Sequence, residues 1–262
     1  MTQRSARVVA AVKLQRHTGR RRAARFLVEG PNLVAAALDA GAVREVFATP
    51  AAAQRHAGLL AGQPVQTITD GAAKALSETV TPTGLVAVCG VPEHDVDVLL
   101  GRSPELVVVA VDLAEPGNAG TLIRTAHAMG AAAVVFTGSS VDPYNGKCLR
   151  SSAGSIFALP VVIAPDVADT LERLRASGLQ TLATTVDAEM TLDDADTLLA
   201  SRTAWIFGSE AHGLSREIAE GADHRIAIPM ADGAESLNVA AAAAICLYQS
   251  ARVRRRTSTP LG

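Results

Sequence analysis

The fold turns on the stretch Leu106-Val107-Val108-Val109-Ala110-Val111-Asp112-Leu113-Ala114-Glu115-Pro116-Gly117-Asn118-Ala119-Gly120-Thr121-Leu122-Ile123-Arg124. Its first half is an unbroken apolar run, as expected of a strand covered on both faces. A Pro-Gly-Asn-x-Gly turn follows and opens into a helical pattern. Asn118 is placed to cap that helix, and the glycines let backbone N–H groups face a ligand. Arg124 falls in the first two turns of the helix.

Downstream the alternation continues. Strands are expected at Leu106–Asp112, Ala132–Thr137, Leu159–Ile163, Thr181–Val186, Thr203–Phe207 and Arg225–Pro229. Helical patterns lie between them, and a long helix follows Ser236. This predicts an α/β class with a mostly parallel sheet, in which ligands gather at the carboxyl ends of the strands. Two further strand exits match the first. Phe207-Gly208-Ser209-Glu210-Ala211-His212-Gly213-Leu214-Ser215 offers two glycines and a helix cap in Ser215. Ile228-Pro229-Met230 leads through a flexible loop to Ser236-Leu237-Asn238-Val239, with Ser236 as cap and Asn238 in the first turn. Together the three loops describe one composite pocket lined by Asn, Ser and Glu, with an arginine nearby. The acidic stretch Asp187 to Asp196 reads as a solvated helix face.

Upstream lies a smaller β/α unit of about 90 residues. An amphipathic helix fits residues 5–16. Strands fit 25–28, 43–48, 65–68 and 85–89, and helices fit 31–41, 51–60 and 72–77. Pro92, Gly101, Pro104 and several acids mark a linker. The expected division is a basic arm over 1–25, an N-terminal domain over 26–92, a linker over 93–104 and the larger domain over 105–262.

Of the 262 residues, 48% are hydrophobic and 19% charged, which excludes a wholly disordered chain. No apolar run reaches the roughly 18 to 20 residues of a membrane span. The basic N-terminus lacks the apolar stretch of a signal peptide. Cys89, Cys148 and Cys246 form no C-x-x-C. The expectation is a soluble, cytoplasmic protein without a membrane partner. The net charge of −2 hides an uneven distribution. Arg4, Arg7, Lys13, Arg16, Arg20, Arg21, Arg22 and Arg25 stand in the first 25 residues without a single acid. Arginine forks match phosphate oxygens, so these eight are expected to grip RNA or DNA. Arg252, Arg254, Arg255 and Arg256 read either as part of that grip or as a solvated face.

Competing chemistries lack their motifs. There is no G-x-G-x-x-G, G-x-x-x-x-G-K-[ST], G-x-S-x-G or H-E-x-x-H, and the six histidines show no ligand spacing, so no metal is expected. A class I methyltransferase is disfavoured because no G-x-G-x-G loop follows the first strand.

In order and spacing, the three loops resemble the motifs of the SpoU (TrmH-type) RNA 2′-O-ribose methyltransferases of the SPOUT superfamily. The first matches through Asn118, Gly120 and Arg124, and the second through Gly208-Ser209-Glu210 with Gly213. The third matches through Ile228-Pro229-Met230 and Ser236-Leu237-Asn238-Val239. Lys147-Cys148-Leu149-Arg150-Ser151-Ser152-Ala153-Gly154-Ser155 matches a further element. Phe26-Leu27-Val28-Glu29-Gly30 through Thr81-Pro82-Thr83-Gly84 resembles the family's N-terminal RNA-binding domain. The layout is most similar to the subgroup of thiostrepton-resistance methyltransferases.

The resemblance implies a small ribosomal-protein-like α/β/α domain followed by a SPOUT α/β domain with a C-terminal trefoil knot. It implies an obligate homodimer that binds S-adenosyl-L-methionine and methylates a ribose 2′-hydroxyl in RNA, with 23S ribosomal RNA favoured. A tRNA substrate, or a non-catalytic RNA-binding or ribosome-assembly protein that kept the fold, is the alternative. By position, Gly208, Ile228, Met230, Ser236 and Leu237 would cradle the cofactor. Asn118, Arg124, Arg150, Glu210, Ser236 and Asn238 would form the polar reaction centre. Arg124 is often cast as a general base in such enzymes. A guanidinium stays protonated, so a phosphate clamp that also stabilises developing alkoxide charge is the chemically safer role. Part of the apolar surface on the long helix after Ser236 would be covered by the second subunit.

Overall fold

The computed structural model describes residues 1–258. The chain opens with α1 (Ala6–Val12), a 3-10 turn (Lys13–Gln15) and α2 (His17–Ala23). Then come β1 (Arg25–Glu29), α3 (Pro31–Asp39), β2 (Val43–Ala48), α4 (Pro50–Arg55), β3 (Val65–Thr67), α5 (Asp70–Leu76) and β4 (Leu85–Gly90). After α6 (Val96–Leu100) follow β5 (Leu106–Val111), α7 (Pro116–Ala128), β6 (Ala133–Thr137), α8 (Gly146–Ser152), α9 (Ser155–Ala158) and β7 (Val161–Ile163). The last run is α10 (Val167–Ala176), β8 (Gln180–Thr184), β9 (Met190–Thr191), α11 (Asp196–Leu199), β10 (Thr203–Phe207), α12 (Arg216–Glu220), β11 (His224–Ala227) and α13 (Val239–Ser258).

These elements form two compact units. One comprises residues 1–93 together with 142–158, the other 94–141 and 159 onward. The first holds 13 basic residues against 7 acidic, the second 11 against 19, so net charges of +6 and −8 stand behind the overall −2.

The first unit is built on a four-stranded sheet in the order β1-β4-β2-β3, antiparallel except for the β2–β3 pair. On one face Val8, Ala11 and Leu14 pack with Phe47, Ile68, Ala72, Leu76 and Val86. The amphipathic helix expected over 5–16 is present as α1 and the 3-10 turn, and it holds the basic arm over 1–25 against the sheet. The apolar positions between the arginines repeat at helical spacing and bury against the sheet. Elsewhere in the unit Phe26 meets Tyr144 and Phe157, with ring centroids 4.8 and 5.9 Å apart. The segment 142–158, expected in the larger domain, thus supplies aromatic core to this unit.

The second unit carries a seven-stranded, wholly parallel sheet in the order β7-β6-β5-β10-β8-β11-β9. Every residue of β5, β6 and β10 is buried. Each fully buried Val or Ile contributes roughly 1.5–3 kcal/mol. One core cluster joins Val107, Val109 and Ile206 to Leu171 and Leu174 of α10 and to Val96 and Leu99 of α6. The expected linker over 93–104 thus contains a helix docked on this core. Against the sheet α13 is fixed by a buried hydrogen bond, in which Trp205 Nε1 donates to Ser250 Oγ at 2.9 Å. Asp187–Asp196 is not a helix face. It forms β9 and a 3-10 turn over Leu192–Asp194, and Glu189 and Asp196 pair with Arg225 and Arg252.

Strand order reverses between β5 and β10. The chain moves outward from β5 to β6 and β7, then resumes on the far side of β10. Ligands bind at such switch points in open α/β sheets. The loops leaving these two strands are the first two singled out above.

Candidate active site at the strand exits

The N-cap of α7 is Glu115, whose side chain accepts from Gly117 N at 3.1 Å. Pro116 occupies the first helical position and sets the start there. Asn118, expected as the cap, instead lies inside the first turn with its amide free to point elsewhere. The third loop shifts in the same way. Asn238 rather than Ser236 receives the first N–H groups of α13, with Oδ1 accepting from Ala240 N at 2.9 Å.

These shifts create a directed chain of hydrogen bonds. Because Asn238 Oδ1 faces α13, its Nδ2 donates to Asn118 Oδ1 at 3.0 Å. Asn118 Nδ2 then donates to Glu210 Oε1 at 3.0 Å. Glu210 also accepts from Glu115 N at 3.0 Å on Oε1 and from Ala114 N at 3.1 Å on Oε2. One carboxylate thereby ties the β10 exit to the β5 exit, and two amides extend the tie to α13. Burial opposes the charge on Glu210, but donation from Asn118, Ala114 and Glu115 outweighs it and holds the carboxyl below its usual range. An ionised carboxylate so occupied positions its neighbours and is poorly suited to take up a proton.

Beside this chain lies a cavity of about 420 Å³, within the usual range for a small-molecule site. Gly208, Ile228, Met230, Ser236 and Leu237, the five positions expected to hold a cofactor, all line it. Phe207, Leu214, Ile226 and Val239 add apolar wall, and Glu210, Ser209 and Thr185 add polar groups. Thr184, Thr185 and Val186 at the β8 exit also line the cavity, outside the three loops read from the sequence. Their only signal was position at the end of a strand. Gly208 is needed because the second loop folds back on itself. Ser209 N donates to Gly213 O at 3.1 Å and Gly213 N returns to Ser209 O at 2.9 Å. A Cβ at position 208 would overlap the backbone of Gly213 and Leu214.

The remaining expected residues take no part in this hydrogen-bond chain. Arg124 is exposed on α7, six residues past Asn118 and so about 120° round the helix axis from it. Arg150 belongs to the first unit, on α8, 3.7 Å from Glu78. Among the eight expected RNA contacts, Arg4, Lys13, Arg16, Arg21, Arg22 and Arg25 are exposed. Arg7 is exposed too but pairs with Glu45 at 3.3 Å. Arg20 corrects the expectation. It is only 5% exposed, meets Asp142 Oδ2 at 2.6 Å, and donates to the carbonyls of Leu14 and Gln15 at 3.1 and 2.9 Å. Its charge is satisfied inside the protein. In the tail, Arg252 pairs with Asp196 and Arg254 with Glu105, while Arg255 lies over the Tyr248 ring. The first two tie α13 to the rest of the larger unit.

Residues 105–248 match the model of the SpoU rRNA methylase family, and residues 6–87 that of the MRM3-like substrate binding domain. The 23S rRNA (guanosine(2553)-2′-O)-methyltransferase RlmP of Bacillus subtilis is 35% identical over 85% of this chain and 87% of its own. An uncharacterized tRNA/rRNA methyltransferase of Synechocystis is 36% identical over 95% of this chain and 91% of its own. Among solved structures, the SpoU methyltransferase AviRb from Streptomyces viridochromogenes, in complex with the cofactor AdoMet, superposes with a TM-score of 0.84. It is 32% identical and covers 97% of this chain and 99% of that one. The family match takes in the three strand-exit loops, and the superposition extends over nearly the whole chain, so this protein belongs to the SpoU rRNA methylase family.

Proposed function

We propose that this protein is an S-adenosyl-L-methionine-dependent methyltransferase that modifies a ribose 2′-hydroxyl in RNA, with 23S rRNA as the substrate. The observation that carries this reading is the Glu210–Asn118–Asn238 chain beside the cavity. The donor set fits the cofactor. Apolar walls from Phe207, Ile226, Ile228, Leu214 and Val239 suit a flat base, and the polar groups of Ser209, Thr185, Ser236 and Glu210 suit a ribose and an amino-acid end. When bound, the cofactor supplies an electrophilic methyl group on sulfur. The chain's own residues do the rest. Asn118 and Asn238 are locked in single amide orientations and present fixed dipoles, which is how a preorganised site lowers a barrier without rearranging during reaction. Glu210 holds them there. Arg124, permanently charged, is suited to a neighbouring phosphate and to developing alkoxide charge.

The names of the relatives favour large-subunit rRNA. RlmP and a 23S rRNA (uridine(2479)-2′-O)-methyltransferase of Streptomyces viridochromogenes are both among them. The first unit, at net +6 and with seven exposed basic residues in its first 25, is the natural RNA-binding module. A homodimer is supported by Ile245 and Tyr248, which α13 leaves 41% and 54% exposed. A C-terminal trefoil knot is supported by strand order, since β11 lies beyond β8 while the following α13 packs on α7, the helix that follows β5 in the chain. Three buried, free thiols suit the reducing cytoplasm.

The test is incubation with methyl-labelled cofactor and an unmodified 23S rRNA transcript, followed by nuclease digestion and mass spectrometry. One 2′-O-methyl nucleotide at a single site is expected. Cofactor binding by calorimetry without any methyl transfer would favour an assembly protein that kept the fold.

A further inference from the structure

Glu78 and Arg150 face each other within the first unit, with Glu78 Oε2 3.7 Å from Arg150 Nη1. Both side chains are more than a third exposed, so neither charge needs the other to offset burial. The separation is loose for a charge-assisted hydrogen bond. Even so, the approach is built. A Cβ at position 146 would overlap Glu78 Oε2 and stand 3.1 Å from Arg150 Nη1, so glycine at 146 leaves room for both side chains. The loop carrying Glu78 is also held in place on both sides of it. Ser77 Oγ donates to Glu29 Oε2 at 2.7 Å, Thr79 Oγ1 to Glu29 Oε1 at 3.3 Å, and Thr83 N to the same oxygen at 3.0 Å. An acid is thus set against an arginine in a unit whose charge balance otherwise favours a polyanion.

We propose that Arg150 forms a binding site for an RNA backbone phosphate and that Glu78 occupies this site in the free protein as a competing anion. This rests on the methyltransferase reading above. A carboxylate and a phosphate oxygen offer the same chemistry to a guanidinium, and a loose, exposed pair exchanges readily. RNA that places a phosphate at Arg150 displaces Glu78. RNA that does not leaves the pair intact and gains no contact there. Glu78 therefore makes RNA that engages Arg150 break an ion pair first, which lowers its affinity by the worth of that pair.

The test is equilibrium binding of the full-length protein to an unmodified 23S rRNA transcript across a salt series. Glu78→Gln should tighten binding about two- to fivefold, the range of an exposed ion pair. It should also steepen the salt slope by up to about 0.7 to 0.9. Cofactor affinity should not change. In an Arg150→Ala background, Glu78→Gln should have no effect. Unchanged or weaker RNA binding by Glu78→Gln, or a gain that persists without Arg150, would overturn this inference alone. Failure of the wild-type protein to bind RNA at any salt would overturn it together with the methyltransferase reading.

Discussion

Replacing Asn118 by aspartate tests the reaction centre at almost no steric cost. In the native protein Asn118 Nδ2 donates to Glu210 Oε1 at 3.0 Å. The substitution Asn118→Asp would set a second carboxylate oxygen at that distance. Two unit charges about 3 Å apart repel by about 1.4 kcal/mol in bulk water and about 5.5 kcal/mol at an effective dielectric constant of about 20. Glu210 is exposed, so a value toward the lower limit applies, and the lost hydrogen bond adds about 1 kcal/mol. The carboxylates would separate and release Asn238, whose Nδ2 is held by the same side chain. At pH 8 we expect methyl transfer to fall by about 100-fold or more, as when one preorganised donor is removed. Lowering the pH should partly restore it. The pair shares a site, so its first protonation moves above the usual carboxylate range and lets one proton bridge the two oxygens. A folded-state pKa raised above the unfolded value gives stability that is present in acid and lost as pH rises through it. The melting temperature of the variant relative to wild type should therefore improve toward pH 5, and Asn118→Ala should show no such recovery. Turnover by Asn118→Asp within twofold of wild type at pH 8, or a defect independent of pH, would refute this account of the site.

Gly208→Ala should lower cofactor affinity at least tenfold by calorimetry, because the new Cβ overlaps the Gly213 and Leu214 backbone that shapes the cavity wall. Neutralising Arg21, Arg22 and Arg25 together as glutamine should flatten the salt dependence of RNA binding by about 2 units while leaving the melting curve close to wild type. Arg20→Ala should do the reverse. It strands the nearly buried Asp142, so a loss of about 3 kcal/mol or more is expected in denaturant unfolding, with the salt slope little altered.

The parallel sheet was legible because β5, β6 and β10 are unbroken apolar runs, and their burial follows from that composition. The cavity-lining residues were legible as glycine-rich strand exits. The capping pattern was misjudged by two or three residues, since Pro116 and Glu115 start α7 earlier than Asn118 could. That small error concealed the hydrogen-bond chain, because a capping Asn118 would turn Oδ1 to its own helix rather than to Asn238 Nδ2. The amphipathic helix over 5–16 was legible in its apolar repeat, but the charge around it gave no sign that Val8, Ala11 and Leu14 bury one face against the sheet. Nor does sequence spacing reveal that Arg20 would find Asp142, 122 positions away.

The aromatic face of Phe26 has a bearing on how this protein is made. Tyr144 and Phe157, which cover it, are encoded after two strands and a helix of the parallel sheet have already been specified. A nascent chain that has just emerged through residue 93 therefore holds a four-stranded sheet with one flank bare. It must wait for some 65 more residues before that flank closes, several seconds at ordinary rates of synthesis. Expressed as an isolated fragment, residues 1–93 would carry the same bare flank permanently and should self-associate. A soluble excised module needs residues 142–158 supplied as well, either by a short engineered linker or as a second chain.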